Sequence, residues 1–248
     1  GIVGPIHARC TFNEAVESGN ICPIRVYMLQ IPFNPLCFFE KKREAARKRM
    51  IWENQFLNTL MSHFCSHVMP QDWQSIAFVD REKQADALAS ILPGAEVAMD
   101  KKFKNAKAAE EMRERVVSED VKRCVATSIY STGLTFPGLR VMLNLCAGGG
   151  SITSVQKPGR LAQIIPGKNR GYVVDYMFTP VLPEGNTWEQ HNRSPAFKKA
   201  HWHAIVRECK ARREVYANLG YEVIDTPIQY DYDVGGYVPD PEIMAGMD

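Results

Sequence analysis

Long hydrophobic runs are lacking in this 248-residue chain, and none approaches the roughly 18 apolar residues that a membrane-spanning helix needs. No basic segment leads into an apolar one at the start, so no export signal is read there. Cysteine pairs at C-x-x-C spacing are missing as well. The seven cysteines (Cys10, Cys22, Cys37, Cys65, Cys124, Cys146 and Cys209) are scattered and odd in number, which argues against a zinc ribbon or a disulfide framework. Reduced thiols and a cytoplasmic, intracellular protein are expected. An excess of either charge is absent: 30 basic against 28 acidic residues leave a net +2, so only the placement of charge can indicate a polyanionic partner. The phosphate loop G-x-x-x-x-G-K-[ST] does not occur, and neither does a D-E-x-H run; Gly167-Lys168-Asn169 lacks the upstream glycine spacing and the hydroxyl. No Ser/His/Asp set, no paired carboxylates and no internal repeat stand out. The chain starts at Gly1 without a methionine, which leads us to expect a piece of a longer polypeptide or a product of processing.

What is present is enough apolar sequence, 45% of residues, for one α/β domain with extra segments. Residues 1–36 read as short apolar runs broken by turns, closing with Pro32 and Pro35, and are taken as the tail of a preceding domain. Residues 37–74 read as a basic linker: the run EKKREAARKRM (40–50) opens a helix that continues to about His67, with Ile51, Phe56, Leu57, Leu60, Met61 and Phe64 at helical spacing. From 75 to 182 strands and helices alternate. Strands are expected at 75–79, 95–99, 124–126, 140–145 and 171–175, helices at 81–92 and 104–117, and Ser151–Ile164 can form another. That alternation implies a doubly wound parallel sheet covered on both faces, an α/β fold with helical extensions. Residues 183–248 read as an extension with a helix over 194–219. Residues 197–214 of it place six lysines and arginines against two glutamates. The acidic, Gly/Pro-rich stretch after Asp231 is expected to be poorly ordered.

In such a sheet ligands bind beyond the carboxyl ends of the strands, so those loops are read first. SIAFVD (Ser75–Asp80) resembles helicase motif IV. CVATSIYSTGLTFPGL (Cys124–Leu139) resembles motif V in the form seen in UvsW-type phage helicases. QKPGR (Gln156–Arg160) resembles the start of motif VI and is followed at a typical distance by GYVVD (Gly171–Asp175). The order and spacing of these blocks, together with Gly4-Pro5 and Glu14–Pro23, resemble the C-terminal RecA-like motor domain of superfamily 2 DNA helicases over about residues 1–180.

That resemblance implies an ATP-dependent DNA helicase or translocase of the branch-migrating, unwinding or annealing kind, acting as a monomer in the cytoplasm (the host's, if the source is a phage). DNA is expected as partner ahead of RNA, and no membrane. It also implies a first RecA-like domain of the same polypeptide that holds most of ATP and Mg2+; this chain alone is expected to be inactive. By resemblance Arg160 is the arginine finger, because a guanidinium is always charged and bridges two phosphate oxygens. Gln156 would touch phosphate or align the finger, and Gly133 would let the backbone approach the nucleotide. Arg81, Lys83, Thr127 and Ser128 would meet nucleic-acid phosphates. Two positions depart from the pattern: Gln163 stands where a second arginine is usual, and Thr135 where an acidic residue is common. Gln163 keeps its place among the nucleotide-facing candidates, with Arg170 or Lys168 as alternative sources of the missing charge. The departures support an alternative: a non-catalytic nucleic-acid- or partner-binding module derived from a helicase domain. His63-x-Cys65-x-His67 is read as a satisfied or exposed cluster rather than a metal site, and Trp202 as a core residue.

Overall fold

The computed structural model describes residues 10–127, 136–148, 158–245 and 247. Eight strands run in chain order as β1 (Ile24–Phe33), β2 (Gln74–Phe78), β3 (Ala95–Ala98), β4 (Arg123–Ala126), β5 (Leu139–Asn144), β6 (Gly171–Pro180), β7 (Glu222–Asp231) and β8 (Gly236–Pro239). They form one sheet ordered β3-β4-β2-β5-β6-β1-β7-β8. Every pairing is parallel except the last, β7 with β8. Strands covered on both faces need apolar residues at successive positions. All of β2 and the first eight residues of β6 are buried accordingly.

The helices are α1 (Phe12–Glu17), α2 (Arg43–Arg47), α3 (Gln55–His63), α4 (Glu82–Ile91), α5 (Ala106–Val117), α6 (Trp188–His191), α7 (Pro195–Lys199), α8 (Trp202–Asn218) and α9 (Pro241–Met244). Helix α2 winds into a wider π turn at Lys48–Trp52. The chain then breaks at Glu53-Asn54, where the Asn54 carboxamide accepts from Leu57 N and starts α3. That break divides the single helix expected over 40–67. Another at Ala200-His201 divides the one expected over 194–219.

Two segment boundaries drawn from sequence have no counterpart in the sheet. Strand β1, within the stretch taken as the tail of a preceding domain, lies between β6 and β7 and pairs with both. Its backbone groups are satisfied there, and Val26 to Leu29 are fully buried. Strand β7, from the C-terminal extension, continues the same sheet. The stretch after Asp231 is ordered by β8 and α9, which bury Val238 and Met244. Of the helix expected over 151–164, Pro158–Ala162 forms a short 3-10 turn, and 151–157 lie outside the described residues.

The carboxyl ends of β2 and β5 define the crevice. From β2 the chain crosses to β3 on one side, whereas from adjacent β5 it proceeds to β6 on the other; such a switch of direction opens a crevice for ligands. No helix among the described residues is long and apolar enough to cross a membrane.

Candidate functional site

Asp80 organises the crevice from the end of β2. One of its carboxylate oxygens accepts from Trp52 Nε1 at 2.9 Å and from Ala147 N at 2.6 Å. The π turn, β2 and the loop after β5 are thereby tied to a single side chain. Buried Gln84 braces the same point, accepting from Asp80 N and donating to the Leu145 carbonyl. On this frame the Arg81 guanidinium lies 4.2 Å from the Trp52 ring centroid and pairs with Glu44 at 3.0 Å, a stacked geometry that orients an exposed cation.

A cleft of about 700 Å³ opens beside this stack, lined by Lys48, Trp52, Arg81, Lys83, Lys101 and Thr127 among others. Arg81, Lys83 and Thr127, which the sequence singled out, are thus brought to one place at the carboxyl ends of β2, β3 and β4. Lys83 and Lys101 are exposed and pair with no carboxylate among the described residues. Ser128 lies outside them. Lys48, Trp52 and Lys101 were not singled out by sequence; the basic run at 40–50 pointed to the first, and nothing in the spacing distinguished Trp52 from an ordinary core aromatic.

Arg160 lies at the opposite end of the sheet. The 3-10 turn that carries it sits under the starts of β1, β5 and β6: Ala162 O accepts from Cys22 N, and a Cβ at Gly171 would come 2.8 Å from the Leu161 carbonyl. The Arg160 Cζ is 5.9 Å from the Phe136 ring centroid. Its Nε is buried without a hydrogen-bond partner, it has no ion-pair partner among the described residues, and burial holds its pKa below the ordinary arginine value. A half-buried guanidinium with unspent donors suits an acceptor-rich anion. The Gln163 amide oxygen is likewise buried without a partner. Gly133 and Gln156 lie outside the described residues.

The alternative sources of charge are placed differently. Arg170 pairs with Glu222. Lys168 is buried, its Nζ has no hydrogen-bond partner, and burial lowers its pKa to about 8, with Cys22 opposing and Arg140 adding to that shift. Because the folded-state value lies below the unfolded one, the unfolded chain holds more protons between about pH 8 and pH 10.5. Stability therefore rises with pH across that window, as the buried charge is relieved. Lys168→Met is expected to stabilise the fold at pH 7 by ~2 kcal/mol and to flatten this alkaline rise. Urea melts from pH 7 to 10.5 check both; an unaltered slope would remove Lys168 as its source.

His63 Nδ1 lies 3.0 Å from the Tyr237 carbonyl, which only accepts, so this nitrogen carries the proton; Cys65 is buried. Trp202 packs among Phe33, Phe197 and His203.

Against family models the chain finds no match, and against curated proteins it finds none either. Solved structures do resemble it. The crystal structure of T4 UvsW matches with a TM-score of 0.60 at 11% identity, covering 82% of this chain and 41% of that one. A fragment of a putative HsdR subunit of a type I restriction enzyme from Vibrio vulnificus matches at 0.53 and 15%, covering 66% and 33%. A Dbp5 variant from S. cerevisiae, bound to RNA and ADP BeF3, matches at 0.50 and 13%, covering 83% and 41%. The chain therefore spans less than half the length of each. The fold is that of RecA-like helicase C-terminal domains.

Proposed function

We propose that this chain is the second motor domain of an ATP-dependent nucleic-acid helicase or translocase that branch-migrates, unwinds or anneals DNA. One observation carries the reading: cations with donors to spare gather at two opposite ends of the sheet. Arg81, Lys83 and Lys101 surround the cleft with Thr127 at the carboxyl ends, while Arg160, without an ion pair among the described residues, stands beneath the starts of β1, β5 and β6. The first set suits a phosphodiester backbone read without regard to sequence. The second suits the terminal phosphate of a nucleotide clamped by a partner domain, with ATP and Mg2+ held mainly by the first RecA-like domain of the same polypeptide.

The full chain is expected to bind a labelled 20-nucleotide single strand with an affinity that falls steeply with salt. Lys83→Ala with Arg81→Ala should weaken binding about tenfold and lower the salt slope by roughly 1.4, near 0.7 for each phosphate contact to a single strand. Fluorescence anisotropy with DNA and RNA strands measures this, and tighter RNA binding would move the substrate assignment to RNA. No binding of either strand would sink the nucleic-acid reading.

The second reading, a non-catalytic module, is favoured by Gln163, a neutral amide where the resembling family has an arginine. A motor requires ATP hydrolysis when the missing domain is supplied; the module gives none.

A further inference from the structure

A second cleft, of about 580 Å³, adjoins the first at the Arg81–Trp52 stack, at the direction switch between β2 and β5. It is lined by Arg43, Glu44, Arg47, Trp52, Asp80, Arg81 and Ala147. Four of these residues (Glu44, Trp52, Asp80 and Arg81) also line the first cleft, so the two adjoin at the stack.

The polar groups of this second cleft are unbalanced in a particular way. Its two carboxylates are already engaged: Glu44 pairs with Arg81, and one Asp80 oxygen takes Trp52 Nε1 and Ala147 N. Behind the wall, buried Glu208 of α8 accepts from Arg43 Nε at 2.6 Å, from Arg47 Nη2 at 2.9 Å and from Gly148 N at 2.9 Å. Burial by itself would raise the Glu208 pKa. The hydrogen bonds from Arg47 and Arg43 outweigh that and hold it below the ordinary carboxylate range. Two guanidiniums thus share one carboxylate, and each keeps N–H donors beyond those given to Glu208, since arginine offers five. Arg43 is about half exposed and Arg47 about a quarter. A wall where two guanidiniums supply more donors than their shared carboxylate takes complements a ligand that only accepts.

We propose that Arg43 and Arg47, oriented by Glu208, form a phosphate subsite that holds the backbone of the same nucleic-acid strand one or two nucleotides beyond the Arg81–Lys83 cleft. This rests on the nucleic-acid reading of that cleft and names the strand's path: over the Trp52–Arg81 stack and onto the linker helix. Glu208 acts as a positioning residue, fixing both forks by charge-assisted bonds without meeting the strand.

The test uses the full chain and the same 20-nucleotide single strands. Arg43→Ala leaves Arg47 on Glu208, so the carboxylate stays paired and the fold is retained. It is expected to weaken binding about fivefold and lower the salt slope by roughly 0.7. Arg193→Ala, at an exposed site outside both clefts, is expected to change neither. A photoreactive group on Arg43→Cys should crosslink to the strand, with the adduct lost when unlabelled strand competes. If Arg81→Ala with Lys83→Ala weakens binding while Arg43→Ala leaves affinity, slope and crosslinking at the Arg193→Ala level, the subsite is overturned and the first cleft stands. If the unaltered chain binds no strand, both fall. Equal losses from Arg43→Ala and Arg193→Ala would reduce the effect to diffuse charge and also overturn the subsite.

Discussion

Replacing Arg212 with alanine is expected to cost about 3–5 kcal/mol, the range for stripping the partner from a buried charge. Arg212 is 3% exposed and Asp175 not exposed at all. Two guanidinium nitrogens donate to the two Asp175 oxygens at 2.9 Å, and a third donates to Gly148 O at 2.7 Å. Asn144 and the Tyr216 hydroxyl donate to the same carboxylate. Burial disfavours the charge on Arg212, but Asp175 overcomes it and holds the guanidinium well above the ordinary arginine value. Without Arg212 the carboxylate keeps only neutral donors (Asn144, the Tyr216 hydroxyl and Tyr176 N) in an apolar interior, against a total stability of roughly 5–15 kcal/mol for a typical domain. Arg212→Lys is expected to recover little, because an ammonium cannot bridge two oxygens and a carbonyl in a plane. Removing both charges, Arg212→Met with Asp175→Asn, should recover much of the loss. Urea unfolding followed by circular dichroism reads all three; wild-type stability in Arg212→Ala would show that the pair contributes nothing.

As the arginine finger of the proposed motor, Arg160 is expected on replacement by alanine to cost ATP hydrolysis at least a thousandfold, the lower end of what such a finger contributes, while leaving the fold intact. Stability should be unaffected because Arg160 makes no ion pair among the described residues and its Nε has no partner to lose. The loss should fall on kcat, since a finger's contacts strengthen as charge builds on the transferred phosphoryl group. Arg160→Lys should rescue poorly. Assays with the first RecA-like domain supplied and a single strand present measure this, and unchanged kcat in Arg160→Ala would remove the finger assignment. Gln163→Arg provides a gain-of-function check: faster hydrolysis than the unaltered chain would mark the amide as limiting in the proposed motor.

How legible these groups were differs by kind. Arg160 was singled out from QKPGR by resemblance alone, and its place beneath the strand starts could not be read from the sequence; Arg81, Lys83 and Thr127 followed from the ends of β2 and β4. Trp52, Glu208 and Arg212 could not be located. Glu208 meets Arg43 across 165 positions of chain and Arg212 meets Asp175 across 37; no local pattern marks a glutamate on a basic helix as the anchor for two distant arginines. The six cations of residues 197–214 read as one basic face. In the fold they divide, with Arg212 neutralised in the core and Arg213 held by Asp225.

The sequence by itself determined the alternation of strands and helices, the parallel class of the sheet and the residues at its carboxyl-end loops. Hydrophobic periodicity and glycine and proline punctuation act over a few residues and are visible in one dimension. Only the tertiary structure decided that β1 and β7, drawn from segments read as outlying, belong within the sheet. Strand pairing is settled by backbone hydrogen bonds and burial between residues more than a hundred positions apart, as between Ile24 and Gly171. The same long-range closure separates the cations of the clefts from Arg160 at the other end of the sheet.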